Sequence, residues 1–134
     1  MTTVGYEAVP AVEGDAAAAP GNTLVMKFGG TSVADTQKIK DVARRLVAAR
    51  EAGQRVVGVL SAMGDTTDDL IRLAQEISLQ PHPREYDMLV SVGERISNSL
   101  CAMAIGDLGH EAVSLTGSQA GIVTDTSHAC ARCP

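Results

Sequence analysis

Apolar residues near the start of this 134-residue chain form two short runs with a helical pattern between them. The runs LVMKF (24–28) and RVVGVLS (55–61) are apolar at successive positions, as parallel strands covered on both faces usually are. Between the runs, apolar residues recur every three or four positions. Asp35 is a predicted N-cap and Gly53 a predicted helix end. The pattern therefore predicts a βαβ unit.

Beyond the second run, the pattern becomes mainly helical. A helix is predicted over the apolar positions of residues 70–77, and two prolines end it. A long helix is predicted over residues 84–107, with Gly93 in its interior. A third strand at 111–117 and an irregular segment or short hairpin at 119–125 follow. The order β-α-β-α-α-β predicts a mainly parallel, right-handed α/β fold.

Composition narrows the class of protein. The chain is 45% hydrophobic and 20% charged, with a net charge of -5, which is typical of a single acidic soluble domain. We therefore expect neither a nucleic-acid partner nor a membrane partner, and no signal peptide is recognisable, so the expected location is the cytoplasm. Residues 1–22, rich in alanine, proline, glycine and acidic residues, are predicted to be a disordered extension.

Cysteine usage does not indicate a metal or redox site. The three cysteines, Cys101, Cys130 and Cys133, are an odd number in a chain without an export signal, so disulfides are not expected. The last two form a CxxC that follows His128. A structural zinc site needs four ligands and a redox CxxC normally opens a helix, so neither function is predicted here. The carboxylate Asp41 and the pair Asp68 and Asp69 are interpreted as surface groups, and no metal ligands are assigned.

The most informative short segment is the end of the first strand. Lys27 is followed closely by Gly29 and Gly30, and a helical pattern begins soon after. Glycines permit positive φ and close approach of a ligand, and a helix start offers N–H donors, so these residues predict a phosphate site. The spelling matches neither the P-loop nor the GxGxxG motif. A strand-end lysine that simply extends to solvent remains the alternative.

Four segments make a resemblance specific. They are KFGGTSV (27–33), SAMGDTTDDL (61–70), MLVSVGERIS (88–97) and LTGSQAGIVTD (115–125). In this order they resemble the N-terminal part of the kinase domain of the aspartate kinase family, of the actinobacterial type, within the amino acid kinase superfamily. The resemblance implies an incomplete α/β fold, the N-terminal half of a mainly parallel α/β/α sandwich. Residues 23–134 would be a partial amino acid kinase domain without the family's regulatory domains.

The resemblance also implies an activity. Members of the family use ATP, carried with Mg²⁺, to phosphorylate the β-carboxylate of L-aspartate. The product, 4-phospho-L-aspartate, begins the routes to lysine, threonine and methionine. Full-length members form homo- or hetero-oligomers.

Roles are carried over by position. Lys27 would be the catalytic contact to the transferring phosphoryl group, and Glu94 would pair with the α-ammonium of aspartate. The resemblance implies ATP-phosphate contacts at Lys27, Phe28, Gly29, Gly30 and Ser61, and aspartate contacts at Asp65, Thr66, Thr67, Asp68 and Glu94. Two alternatives remain open from the residues alone. Thr66 and Thr67 could only cap a helix, and Glu94 could be a solvated glutamate facing Asn98.

The sequence departs from the family after Asp125. Family members continue into a second half of the kinase domain, whereas this sequence ends in SHACARCP. We therefore expect a truncated chain that is inactive alone. The alternatives are a related kinase acting on another carboxylate or on carbamate, and a non-catalytic interaction module that retains half of a phosphate site.

Overall fold

The computed structural model describes residues 23–125, 127 and 128. The predicted extension 1–22 and the CxxC at 130–133 lie outside these residues. The described elements are β1 (Thr23–Phe28), a 3-10 turn (Gly30–Val33), α1 (Thr36–Glu51), β2 (Arg55–Leu60), α2 (Thr66–Ile77), α3 (Pro83–Val90) and α4 (Val92–Gly106). Over these residues, no helix is both long and apolar enough to cross a membrane.

The predicted βαβ unit is confirmed. β1 and β2 pair in parallel, from Thr23 opposite Arg55 to Phe28 opposite Leu60. The connecting helix α1 begins where predicted, because the Asp35 carboxylate accepts a hydrogen bond from the backbone N–H of Lys38 at 2.8 Å. Just beyond the end of α1, Gly53 has φ of 83°, the left-handed conformation that commonly terminates a helix.

The hydrophobic core lies between this strand pair and helices α1 and α4. α1 contributes more buried side chains than any other described element, and α4 packs beside it. The core consists of Phe28, Val33, Ile39, Val42, Ala43, Leu46, Leu60 and Cys101. Burial raises the pKa of the Cys101 thiol, since the low-dielectric core disfavours a thiolate.

The opposite face of the strand pair is open. Val25 is 61% exposed, and its partner Val57 and the nearby Val59 are each 47% exposed. The apolar runs predicted strands covered on both sides, but the described residues cover only one. The second apolar face is therefore available for packing that the described part of the chain does not supply.

The predicted third strand is wrong. Residues 111–117 form no strand in the described part of the chain, and Val113 and Leu115 are 56% and 47% exposed. An alternating pattern shows which side chains a strand would bury, but a strand also needs a neighbour for its backbone groups. The described sheet has two strands, paired with each other. The following residues are irregular, in agreement with the first of the two predictions for 119–125.

The predicted long helix is divided in two at Ser91. The Ser91 hydroxyl donates to the Met88 carbonyl at 3.1 Å, and α4 begins at the next residue. Serine hydroxyls often bond carbonyls of the preceding turn and bend the helix there. Gly93 consequently lies in the first turn of α4 and not in a helix interior.

Candidate functional site

The site predicted from sequence lies where the two strands end. Because β1 and β2 are parallel and in register, the segments that follow Phe28 and Leu60 leave the sheet at the same edge. The Ser61 N–H donates to the Phe28 carbonyl at 3.0 Å, which extends the pairing by one residue. The glycine loop, residues 29–31, therefore lies beside the β2–α2 loop, residues 61–65. Phe28 itself has its ring in the core, so only its backbone reaches this edge.

Lys27 is exposed and folds back over the glycine loop. Its Nζ lies 3.4 Å from the position that a Cβ on Gly29 would occupy. Within the described part of the chain, the Lys27 ammonium has no ion pair or hydrogen bond. A cation therefore stands directly over a stretch of backbone without side chains, an arrangement suited to an anionic ligand.

Unusual backbone angles do not explain the glycines of this loop, so the room for a side chain has to be considered. Gly29 has φ of -78°, and neither it nor Gly30 is among the positive-φ glycines of the described chain. A Cβ on Gly30 would lie 3.3 Å from the Ala62 carbonyl oxygen, a tight contact with the neighbouring loop. The close packing of two loops therefore explains the absence of a side chain at Gly30.

A 3-10 turn separates the glycine loop from α1, which the sequence pattern did not predict. The first N–H groups of a helical turn lack partners within that turn, so Gly30 and Thr31 present donors near Lys27. Lys38 steadies the turn by donating from Nζ to the Thr31 carbonyl at 3.0 Å. At the start of α1, the Asp35 carboxylate accepts a hydrogen bond from the backbone N–H of Lys38. Its N-terminus is thus already occupied by an anionic group and is a poor phosphate site.

The β2–α2 loop is held between glycines from two other elements. A Cβ on Gly30 would meet the Ala62 carbonyl oxygen, and a Cβ on Gly93 of α4 would lie 2.8 Å from the Ala62 Cβ. On the same loop Gly64 has φ of 45°, and a Cβ on it would lie 3.3 Å from the Ala34 carbonyl oxygen. Ala62 therefore connects the glycine loop to the start of α4.

The predicted aspartate-binding residues of α2 follow this loop. Thr66 and Thr67 are half-buried, whereas Asp65 and Asp68 are exposed. The Asp65 side chain at the N-cap makes no capping hydrogen bond, and no bond of either threonine hydroxyl is found in the described chain. The pure capping interpretation of these residues thus lacks the bonds it requires. These residues follow the β2–α2 loop, which leaves the sheet at the same edge as the glycine loop.

Glu94 is half-buried at the start of α4, and its carboxylate has no hydrogen bond or ion pair in the described chain. It lines an open cleft of about 350 Å³. The lining residues are Ser91, Glu94, Arg95, Asn98, Leu115, Thr116, Gly117 and Ser118. An unpaired carboxylate in a polar cleft can accept a charged amine. A Cβ on Gly93 would lie 3.8 Å from the Thr66 methyl group, so the cleft adjoins the α2 residues.

A compact turn forms the far wall of the cleft. The Thr116 hydroxyl oxygen accepts from the Gln119 N–H at 3.3 Å, and the Gln119 Oε1 accepts from the Thr116 N–H at 2.9 Å. This reciprocal pair is the arrangement of a capping box. It holds residues 115–118 in place without a neighbouring strand.

Sequence reasoning missed three features of the site. It assigned no role to Ser97, to Lys38 or to the wall at 115–118. The Gly93–Ser97 spacing of four residues, which places two small residues on one face of a helix, was the available signal for the first. Lys38 acts through a contact with Thr31, seven positions earlier, which no local pattern indicates. The wall did have a local signal, the capping-box spacing of Thr116 and Gln119.

The carboxylates interpreted as surface groups have surface partners. Asp41 pairs with Arg44 on α1, and Asp69 pairs with Arg72 on α2 at 3.0 Å. All four side chains are more than half exposed. Within the described residues, no group of three metal-ligating side chains is close enough to hold an ion.

Comparison with known families gives one match. The profile described as "Amino acid kinase family" matches residues 22–132, which includes every element described above.

The individual relatives that match this chain are named as aspartokinases. The chain is 57% identical over 109 residues to the aspartokinase of Mycobacterium tuberculosis and 54% identical over 109 residues to that of Corynebacterium glutamicum. Each match covers 81% of this chain and 26% of the relative, so the chain spans about a quarter of the length of these proteins. The crystal structure of aspartate kinase from Synechocystis superposes with a TM-score of 0.68 at 47% identity, over 71% of this chain and 16% of that one. The resemblance stated from sequence is thereby confirmed.

Proposed function

Because this chain belongs to the amino acid kinase family, we propose that it is part of an aspartate kinase. The reaction proposed is transfer of the γ-phosphoryl group of ATP to the β-carboxylate of L-aspartate, which gives 4-phospho-L-aspartate. This is the first step toward lysine, threonine and methionine, and we place it in the cytoplasm. The complete kinase is proposed to be an oligomer.

The observation that carries the proposal is the shared edge of the two parallel strands. It brings Lys27, the glycine loop and the β2–α2 loop together, and Ala62 links them to the start of α4. Carboxyl ends of parallel strands are where α/β folds bind ligands. The first three segments that resemble the family therefore contact one another at this edge, and the fourth lines a cleft with α4, which supports the proposal.

At the phosphate end, the chain supplies a cation and backbone donors. A carboxylate oxygen of aspartate attacks the γ-phosphorus, the bond from that phosphorus to the β,γ-bridging oxygen breaks, and ADP leaves. Lys27 and the N–H groups of Gly29 and Gly30 would stabilise the charge on the phosphoryl oxygens. Ser61, between the two strand ends, would orient the nucleotide phosphates. Mg²⁺ would arrive with ATP and be held mainly by the phosphates.

At the aspartate end, Glu94 is proposed to accept the α-ammonium group. It lines the cleft, is half-buried and lacks a competing partner in the described chain, three properties that strengthen a charged hydrogen bond. The polar groups of Thr66, Thr67 and the neighbouring Asp65 and Asp68 would position the side-chain carboxylate of the substrate. This pairing would distinguish an amino acid from a plain dicarboxylate.

The test uses a hybrid kinase, in which this chain's residues replace the 109 matched residues of the Mycobacterium tuberculosis aspartokinase. In the hybrid we expect Glu94→Gln to raise the KM for aspartate about 10- to 150-fold, because a lost charge-assisted bond costs about 1.5–3 kcal/mol. The KM for ATP should change less than threefold. Steady-state kinetics with each substrate varied in turn measure both values.

Two results would contradict the assignment. If both KM values rise together, or neither changes, Glu94 does not bind the amine. If the hybrid phosphorylates another carboxylate or carbamate in preference to aspartate in a substrate panel, the chain belongs to a related kinase.

A further inference from the structure

One face of the first turns of α4 is built from two small residues. Gly93 and Ser97 are four positions apart, so they lie one above the other on the helix. Both are buried, and both face the segment that follows β2. Glu94 lies between them in the chain.

Gly93 sets the distance of α4 from this segment. A Cβ at position 93 would stand 2.8 Å from the Ala62 Cβ, closer than carbon atoms approach without displacement. Ala62 is itself only 3% exposed and cannot retreat into solvent. The helix can therefore occupy its present position only with glycine at this point.

Ser97 sets the register of the same contact. Its side chain is completely buried, and its Oγ lies 2.7 Å from the Ser61 carbonyl oxygen and 3.0 Å from the Glu94 carbonyl oxygen. The hydroxyl carries one proton, so it donates mainly to the nearer Ser61 oxygen and shares with the Glu94 oxygen. One hydroxyl thus ties the end of β2 to the backbone of the residue proposed to bind substrate.

We propose that Ser97 is a positioning residue that, with Gly93, fixes the Glu94 carboxylate relative to the strand ends. The inference rests on the proposed function, because it assumes that Glu94 binds the substrate amine. Neither small residue touches substrate. They act by holding the helix backbone from which Glu94 extends, at a fixed distance from the loop that carries Ser61.

The experiment is a double-mutant cycle in the hybrid kinase. Ser97→Ala removes the hydroxyl with little change in volume, and Ser99→Ala on the same helix is the matched control, since Ser99 has no hydrogen bond of its side chain in the described chain. We expect Ser97→Ala to raise the KM for aspartate about tenfold with less than a threefold change in the KM for ATP. Ser99→Ala should change neither. Because Ser97 acts through Glu94, adding Ser97→Ala to Glu94→Gln should raise that KM less than twofold further.

The outcomes separate the two proposals. If Glu94→Gln raises the KM for aspartate but Ser97→Ala leaves it unchanged, or if the two effects multiply, the positioning role is overturned while the proposed function stands. If Glu94→Gln has no effect, the assignment of Glu94 to the substrate amine and the positioning role of Ser97 are both overturned, whereas the aspartate kinase reaction itself is decided by the substrate panel. If Ser97→Ala does not fold, Ser97→Cys carries the same test, because a thiol of similar size is a weaker donor. A rise in the KM for aspartate with this variant supports the proposal, and an unchanged KM overturns it.

Discussion

At the scale of single residues, Lys27 combines two properties that a structural lysine does not need. It is exposed, yet its ammonium lies against the backbone of Gly29 instead of extending into solvent. A lysine placed only for solubility would gain rotamer entropy by extending. Its position over the glycine loop is the one that the proposed phosphate site requires.

We expect Lys27→Met in the hybrid kinase to lower kcat at least about 100-fold, because a charge that stabilises the transferring phosphoryl group acts mostly in the transition state. The KM for aspartate should change little. Lys40→Met, which removes an exposed lysine of α1, is the matched control and should leave kcat unchanged. Rapid-quench or coupled ADP assays on folded variants measure the effect. An unchanged kcat in Lys27→Met would return this residue to the solvent-facing alternative.

At the scale of elements, α1 is stabilised by the N-cap residue that precedes it. The Asp35 carboxylate satisfies the Lys38 N–H and places negative charge at the positive end of the helix. We expect Asp35→Ala to cost about 1 kcal/mol of folding free energy. In a chain of this size that corresponds to a fall in Tm of roughly 3–6 °C.

The matched variant is Asp35→Asn, which keeps a capping oxygen and should lose at most half as much stability. Thermal unfolding of the 134-residue chain followed by circular dichroism compares the three proteins. Equal losses in the alanine and asparagine variants would show that the cap does not stabilise α1.

Elements with local signals were predicted well. Both strands of the βαβ unit, the N-cap Asp35 and the terminating Gly53 follow from rules that act over a few residues. The third strand at 111–117 failed because a strand depends on a neighbour that pattern alone does not supply. The break at Ser91 was missed because one serine hydroxyl bonding a backbone carbonyl does not alter the apolar periodicity.

The candidate site was likewise predicted only where local rules apply. The position of Lys27 and the glycine loop at a strand end could be predicted, because parallel strands bring their carboxyl ends together. The 3-10 turn could not, since it depends on how residues 30–33 pack. Ser97 was also missed, because its partner Ser61 lies 36 positions away.

At the scale of the whole molecule, the described chain has an α/β core covered on one side only. The two-stranded sheet exposes Val25, Val57 and Val59 on its other face, and the chain spans 26% of the length of its aspartokinase relatives. A complete α/β/α sandwich would bury such a face. The family resemblance leads us to expect further ligand contacts from a second half of the kinase domain.

We therefore expect the 134-residue chain alone to show no measurable aspartate kinase activity. Phosphoryl transfer depends mainly on positioning, so a site that holds only one end of each substrate should not give a proportionate rate. Purified chain is assayed for ADP release and for aspartyl hydroxamate, with the hybrid kinase as the positive control. Aspartate-dependent turnover above a Lys27→Met chain would contradict this expectation and would indicate that two copies or another subunit complete the site.

The close packing of Ala62 between Gly30 and Gly93 has a consequence for enzyme engineering. At Gly93 a Cβ would stand 2.8 Å from the Ala62 Cβ, so we expect most side chains there to destabilise the fold, and at Gly30 the 3.3 Å contact leaves little room. We therefore expect saturation mutagenesis at Gly30 and Gly93 to yield few functional variants. The cleft offers better targets, because Asn98 and Leu115 line open space and can change size without moving the helix. Diversity introduced at those two positions should alter which amino acid is accepted while the phosphate end keeps its geometry.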